Sequence, residues 1–371
     1  MSDYKGIVSP AYVVQRPHKG IHSQYFHCLM RTPAFAKEAE RWSYGITSDM
    51  WSLRSEHFKM IYSCLPPLSE QIYITRYLSN MDKLIRSFIR KKKKMIDLLE
   101  EQKRAIVHYA VTRGIDQNVP LTHSGVIWLG EIPKHWGIRK LNQCCTISGG
   151  MTPSMDIHRF WDGNIPWVTP KDMKRSDIGH SLVRITEAAL QETSIRLIEP
   201  PAVLLVVRGM ILAKRVPVAW ITAPVTINQD MKALKTINGV NAEFLTHMLD
   251  SAQEAFAPLI DESGHGTRRL PMERWKDLAV AIPPEEEQIT IVNYIDDAIK
   301  KSIEAIARTE QEITLLREYH TRLIADVVTG KLDVREVAAK LPDEITEPGL
   351  EEDSASPYST EEDEVVEEVE G

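Results

Sequence analysis

Apolar side chains recur at alternating steps of three and four near the end of the chain: Val292, Ile295, Ile299, Ser302, Ile306, Thr309, Ile313, Leu316, His320, Leu323 and Val327. Eight of these eleven positions are apolar, the heptad signature of a long helix with one buried seam. A second seam includes Leu78, Ile85, Ile89, Ile96, Leu99, Ile106 and Ala110. The two are one pattern written twice. Pro66-Pro67-Leu68-Ser69-Glu70-Gln71-Ile72 returns 217 residues later as Pro283-Pro284-Glu285-Glu286-Glu287-Gln288-Ile289. The match runs without a gap to Asp116 and Asp333, with 16 identities in 51 positions. Such a repeat reports how a molecule is built: two equivalent helical arms, each preceded by a globular segment. A proline pair suits a helix start, because proline is tolerated in the first turn and not in the interior. Gly114 and Gly330 are the expected stops. At 1.5 Å per residue each seam is on the order of 54 Å long. Two such helices in one chain are expected to bury their seams together as a coiled coil. The residues that carry this contact, or dock partners, are Leu78, Ile85, Ile89, Ile96, Leu99, Ile106, Ile295, Ile299, Ile306, Ile313, Leu316 and Leu323. The polar seam residues Asp82, Lys92, Lys103, Ser302, Thr309 and His320 fix register or face other helices.

Between the arms the period changes. Val203 to Val207 is a short apolar run of the kind that forms a buried strand. Ala219 to Thr222 and Val225 to Ile227 read as further strands, punctuated by Pro217 and Pro224. Ala242 to Phe256 has the spacing of one amphipathic helix. Six tryptophans (Trp128, Trp136, Trp161, Trp167, Trp220 and Trp275) supply bulk for a core. The expected class is mixed α/β, with short strands and long loops. The organisation reads as a shorter globular segment at 1–64, an arm at 65–116, a linker at 117–130, a complete globular unit at 131–281, an arm at 282–333 and a tail at 334–371.

Charge changes this picture once it is split. From Glu336 to Glu370 there are 14 acidic residues and one basic residue, a net of −13. The whole chain is −7, and −7 less −13 leaves +6 on residues 1–335. The tail has few aromatic or β-branched residues and is expected to be disordered, as a solubilising segment, a docking tail or a mimic of nucleic-acid charge. The four cysteines, Cys28, Cys64, Cys144 and Cys145, lack CxxC spacing and read as reduced cytoplasmic thiols. No apolar run is long enough to span a bilayer and no leader pattern opens the chain. Arg90 with Lys91 to Lys94 forms a basic stretch inside the first arm, either a solvated helical face or a contact for phosphate or an acidic partner.

The remaining polar interest lies in loops. Thr152 and Ser154 follow the small residues Gly149-Gly150. Lys171, Lys174 and Arg175 concentrate positive charge after Thr169-Pro170. Arg208 and the pair Asn228-Gln229 each follow a predicted strand. His265, Thr267, Arg268 and Arg269 precede the second proline pair. These side chains are the types that neutralise phosphates or pair with base edges, and on a basic body they favour DNA. No GxxxxGK[ST] loop, strand-anchored GxGxxG, HExxH, metal spacing or Asn-Pro-Pro-aromatic motif accompanies them. His265 near Glu262 has no placed nucleophile beside it. The chain is therefore expected to catalyse nothing alone and to bind no metal or cofactor.

The order of globular segment, proline-pair helix, globular segment and proline-pair helix resembles the DNA-specificity subunit of type I restriction-modification systems. Leu65-Pro66-Pro67-Leu68-Ser69-Glu70-Gln71 and Ile282-Pro283-Pro284-Glu285-Glu286-Glu287-Gln288 carry the likeness. So do Trp128-Leu129-Gly130-Glu131-Ile132-Pro133-Lys134-His135-Trp136, Ile147-Ser148-Gly149-Gly150, Thr152-Pro153-Ser154 and Ile165-Pro166-Trp167-Val168. The resemblance covers roughly residues 7–333. It implies target-recognition domains that each read one half of a split DNA target, with the arms as an antiparallel coiled coil setting the gap. It implies docking of two adenine-N6 methyltransferase subunits that use S-adenosylmethionine, and of translocating endonuclease subunits that use ATP and Mg. It departs at the start: residues 1–64 align with only the back half of a recognition domain, with Tyr44 to Thr47 near Gly264 to Thr267. That leaves a truncated remnant, or a reader completed by another copy or chain. A non-catalytic coiled-coil scaffold is the alternative from a different class.

Overall fold

The computed structural model describes residue 14 and residues 16–44, 52–262 and 267–342. The acidic tail beyond 342, Gly45 to Trp51 and His265 lie outside the described residues. The chain divides into two compact units, Met1–Lys93 with Glu310–Gly371, and Lys94–Thr309.

The first unit is helical. α1 (Ser23–Met30), α2 (Pro33–Trp42) and α3 (Ser55–Phe58) precede the first arm, α4 (Leu68–Arg113). α2 starts where the sequence dictates: the Thr32 hydroxyl accepts from Phe35 N at 3.3 Å and Pro33 occupies the first turn. α4 starts directly after Pro66-Pro67 and stops at Gly114, whose φ of 72° suits a residue without Cβ. Tyr25, Cys28 and Leu29 of α1 pack with Ile74, Leu78, Leu323, Val327 and Val328 in one buried cluster. Asp82 meets His320 at 3.1 Å and Lys92 meets Glu312 at 2.6 Å. The partner numbers fall as those on α4 rise, so the arm segments of this unit pair antiparallel.

In the second unit, the expected linker 117–130 is largely exposed but carries a paired strand and one core residue. β1 (Leu121–His123) pairs antiparallel with β2 (Glu131–Pro133), and Leu129 is 3% exposed. β3 (Gly137–Lys140) and α5 (Leu141–Cys144) lead into β4 (Cys145–Gly149). Then follow β5 (Trp161–Val168), β6 (Asp177–Ile178), β7 (Arg184–Ile185), α6 (Glu187–Glu192), β8 (Ala202–Val206), β9 (Val218–Ile221), β10 (Thr226–Ile227) and β11 (Met231–Thr236). The main sheet has five strands in the order β4-β11-β8-β9-β6, and β10-β5-β7 forms a smaller sheet with its own core around Phe160, Trp167 and Ile185. All five residues of β8 are buried, as a central strand covered on both faces requires.

The expected helix from Ala242 to Phe256 is two helices, α7 (Ala242–Ser251) and α8 (Gln253–Phe256). The break falls at Ala252, where ψ is 20°. There the Gln253 side chain accepts from Val216 N at 2.8 Å and donates to Val216 O at 3.1 Å, a tertiary demand that periodicity does not encode. β12 (Asp261–Glu262), β13 (Arg268–Arg269), α9 (Met272–Trp275) and β14 (Ala279–Ile282) lead to the second arm, α10 (Glu285–Val328), which α11 (Arg335–Ala338) follows. β14 pairs with β3, and Trp136 Nε1 donates to Glu287 Oε1 at 3.0 Å, with His135 2.7 Å from the other carboxylate oxygen. The tryptophan-rich stretch is thus tied to the first turn of the arm.

The repeat reaches beyond the arms. Gln71 Oε1 accepts from His22 N at 2.7 Å, while its Nε2 donates to Gly20 O and Pro66 O. Gln288 Oε1 accepts from Asn241 N at 2.7 Å, while its Nε2 donates to Gly239 O and Pro283 O. Gly20 and Gly239 both have positive φ, 89° and 74°. α1 is therefore the counterpart of α7, with Tyr25 in the place of Phe244, both fully buried. The Tyr44–Ser52 bridge stands where Asp261 pairs with Arg269, again 217 residues apart. The first unit thus holds the back half of the second unit's fold. Among its described residues there is no counterpart of β4, β8 or β11.

Candidate nucleic-acid interface

The register of the main sheet brings the candidate loops to one end. Lys232 at the start of β11 faces Gly149 at the end of β4, and Met231 faces Val206 at the end of β8. Leu205 faces Val218 at the start of β9, and Asp177 at the start of β6 faces Trp220. The loops after β4 and β8 and those before β11, β9 and β6 therefore emerge together. They carry Thr152 and Ser154, Arg208, Asn228 and Gln229, Lys214 and Arg215, and Lys174 and Arg175.

Backbone contacts lock these loops to each other. Met151 N donates to Ile227 O at 2.9 Å, and a Cβ on Gly150 would lie 2.1 Å from Asn228 O, so only glycine fits. Trp167 Nε1 donates to Met151 O at 3.0 Å and Trp161 Nε1 to Ser154 O at 3.1 Å. Those two rings meet edge to face, their centroids 5.3 Å apart. Asn228 N donates to Val168 O at 3.0 Å, which joins the Thr169–Asp172 turn and its exposed Lys171 to the same end. Thr169 caps that turn through Asp172 Oδ2, at 2.8 Å from its N–H. Arg208 N donates to Asp230 O at 3.2 Å, Gly209 N to Arg268 O at 3.0 Å, and Arg208 bridges Arg269.

The side chains divide by what holds them. The Thr152 hydroxyl donates to Gln229 Oε1. Asn228 is 7% exposed, and its side chain folds back on Asp230, accepting from Asp230 N at 3.2 Å. Arg175 pairs with Asp177 and Arg268 with Glu262, while Arg215 pairs with Asp250. Thr267 is half-buried with contacts of its own. Lys171, Lys174, Arg208, Lys214 and Arg269 are exposed and form no ion pair among the described residues. Sequence reasoning missed Lys214, Lys232 and the two loop-holding tryptophans. The first was signalled only by a Lys-Arg pair ahead of a strand, and the tryptophans only by their indole donors.

Two buried thiols lie at the opposite end of the main sheet, where β4 begins beside the end of β11. Burial pushes the Cys144 and Cys145 thiols up to about 11 and about 12, so both stay protonated. Among the described residues no cluster of three His, Cys, Asp or Glu is placed to hold a metal. No helix among them is long and apolar enough to cross a membrane.

Residues 133–315 match the family model described as the type I restriction modification DNA specificity domain. Residues 133–315 form a domain of the type I DNA-specificity family. Over 198 residues it is 31% identical to the type I restriction enzyme MjaIX specificity subunit of Methanocaldococcus jannaschii, covering 50% of this chain and 44% of that protein. Over 193 residues it is 33% identical to the EcoR124I/EcoR124II specificity subunit of Escherichia coli, covering 51% and 45%. The matches thus span about half the length of these relatives. A solved chain from a type I R-M system, described in terms of complex assembly and conformational transition, aligns over 85% of this chain and 73% of its own length. Its TM-score is 0.60 at 14% identity, a likeness of fold. The type I family's mixed α/β fold with long helices is the fold seen here.

Proposed function

We propose that this chain is the DNA-reading subunit of a type I restriction-modification complex, and that the loop end of the five-stranded sheet lies against the duplex. One observation carries the reading: register gathers the loops of five strands at one end, where five exposed cations form no ion pair among the described residues. Unpaired Lys and Arg displace counterions from phosphates, and Arg in a fixed fork can read guanine. Thr152, Ser154, Lys171, Lys174, Arg175, Arg208, Gln229, Thr267, Arg268 and Arg269 are the contacts we assign, with Asn228 shaping its loop from within; His265, outside the described residues, stays a candidate on sequence alone. The arms would dock adenine-N6 methyltransferase subunits bringing S-adenosylmethionine, and endonuclease subunits bringing ATP and Mg would join that assembly. This chain supplies the address and no reacting group. The site of the reaction lies in the partners.

The test is co-expression with a type I methyltransferase subunit and genome-wide mapping of methylated adenines. A defined motif that disappears with Arg208→Ala and Arg269→Ala supports the reading. Methylation at an unchanged motif in both variants overturns the site. A second reading, a coiled-coil scaffold or an inactive remnant, is favoured by the missing sheet strands among the described residues of the first unit. It predicts intact partner assembly with equal affinity for all DNA sequences.

A further inference from the structure

Met210 is 74% exposed at the loop end of the main sheet, an odd place for an apolar side chain among cations. The turn that carries it is hydrogen-bonded on both sides of it, at Gly209 and at Ile211. Gly209, with φ of 134°, turns the chain outward and donates to Arg268 O at 3.0 Å. Leu212 N donates to Gly209 O at 3.3 Å, closing a short 3-10 turn over Met210–Ala213, and the Leu212 side chain is 2% exposed in the core. With Leu212 anchored inward, the turn points Met210 outward. Arg208 precedes it, bridged to Arg269, and Lys214 follows the turn. An unbranched apolar tip on a fixed turn, with an exposed cation on each side of the turn in the chain and a third bridged to the first, has the chemistry of a DNA wedge. Apolar side chains that slip between base pairs are flanked by cations that hold the phosphates on either side.

We propose that Met210 inserts between two stacked base pairs of the duplex while Arg208, Arg269 and Lys214 grip the adjoining phosphates, so that recognition includes a kink. The inference rests on the DNA-reading function proposed above and adds how part of the specificity arises. Pyrimidine–purine steps unstack most readily. Met210 therefore selects such a step at its point of entry without hydrogen-bonding to either base.

The experiment uses the full chain assembled with its methyltransferase and a duplex carrying the mapped motif. 2-Aminopurine is placed at each position in turn except the methylated adenine, which the methyltransferase itself can unstack. Wild type is expected to brighten one position at a flexible step. Met210→Ala loses that brightening and binds roughly tenfold more weakly, as a lost wedge contact predicts. Met210→Leu keeps both. An abasic site at the same step, already unstacked, restores Met210→Ala to wild-type affinity. Uniform darkness in wild type, or equal brightening in Met210→Ala, overturns the wedge while leaving sequence-specific binding intact. Absence of any sequence preference in wild type removes the DNA-reading function itself, a separate failure.

Discussion

Gln71 and Gln288 do the same work in two places. Each amide satisfies the N–H and C=O of a turn that starts a buried helix, and a carbonyl of its own proline pair. Both are almost fully buried, at 0% and 1% exposure. Truncation would strand those backbone groups away from water, and each costs about 1–3 kcal/mol when left unmade. Gln288→Ala and Gln71→Ala should each lose about 2–3 kcal/mol in urea denaturation of the full chain. A loss below about 0.5 kcal/mol would mean that water replaces the amide. His247 offers a second check. Its ring is 8% exposed, and burial lowers its pKa from 6.5 to about 4. Between those values the unfolded chain binds the extra proton, so stability rises with pH across the window and is lost as pH falls through it. From pH 7 to pH 4 this one group removes on the order of 3 kcal/mol. His247→Gln should flatten that acid limb, and an unchanged limb would acquit the histidine. The repeated glutamine was legible as part of the motif, but its partners were not, because they lie about 50 residues back in a segment with little sequence likeness.

Elements were legible where a period of the chain met a buried face. The heptad positions written out for α10 are all buried or half-buried, and so are Leu78, Ile85, Ile89, Ile96, Leu99, Ile106 and Ala110 of α4. The β8 run and the proline-pair starts were equally plain. Register was not. Which strand neighbours β11, or that β5 and β10 leave the main sheet for a smaller one, depends on contacts far apart in sequence. Two-residue strands such as β6 and β7 carry almost no local signal. The candidate site followed the same rule: composition singled out its loops, and their convergence is a product of register. Three of the polar seam positions, Asp82, Lys92 and His320, are paired between the arm segments. Burial acts to raise the Asp82 pKa, but hydrogen bonds from His320 and Arg86 outweigh it and hold the carboxyl below its usual range. A lowered carboxyl pKa stabilises the fold above the unfolded value, and that stability is lost as pH falls through the folded one. Asp82→Ala should cost about 2 kcal/mol, since it leaves His320 facing an apolar seam. Asp82→Leu with His320→Leu should recover most of that loss, because an apolar pair suits the seam. Thermal unfolding of single and double variants measures it. A double variant no better than the single one would show that the pair sets register.

At the scale of the molecule the question is how opposite charges share one chain. Residues 343–371 hold 13 acidic residues and no basic one, against a whole-chain charge of −7, so residues 1–342 carry +6. A polyanion on the same chain would compete with DNA for those cations at an effective concentration set by the linkage. Its effect is screened by salt within about 10 Å at 0.1 M, so it belongs to low ionic strength. Ending the chain after Pro342 should therefore raise affinity for non-target DNA several-fold at low salt and delay elution from heparin. The log-affinity against log-salt slope should steepen, because more protein cations become free to displace counterions. Preference for the target over other sequences should widen little or even narrow, since phosphate contacts carry no sequence information. If truncation leaves non-target affinity and salt slope unchanged, the tail does not compete with DNA, and its charge acts on solubility or on a partner instead.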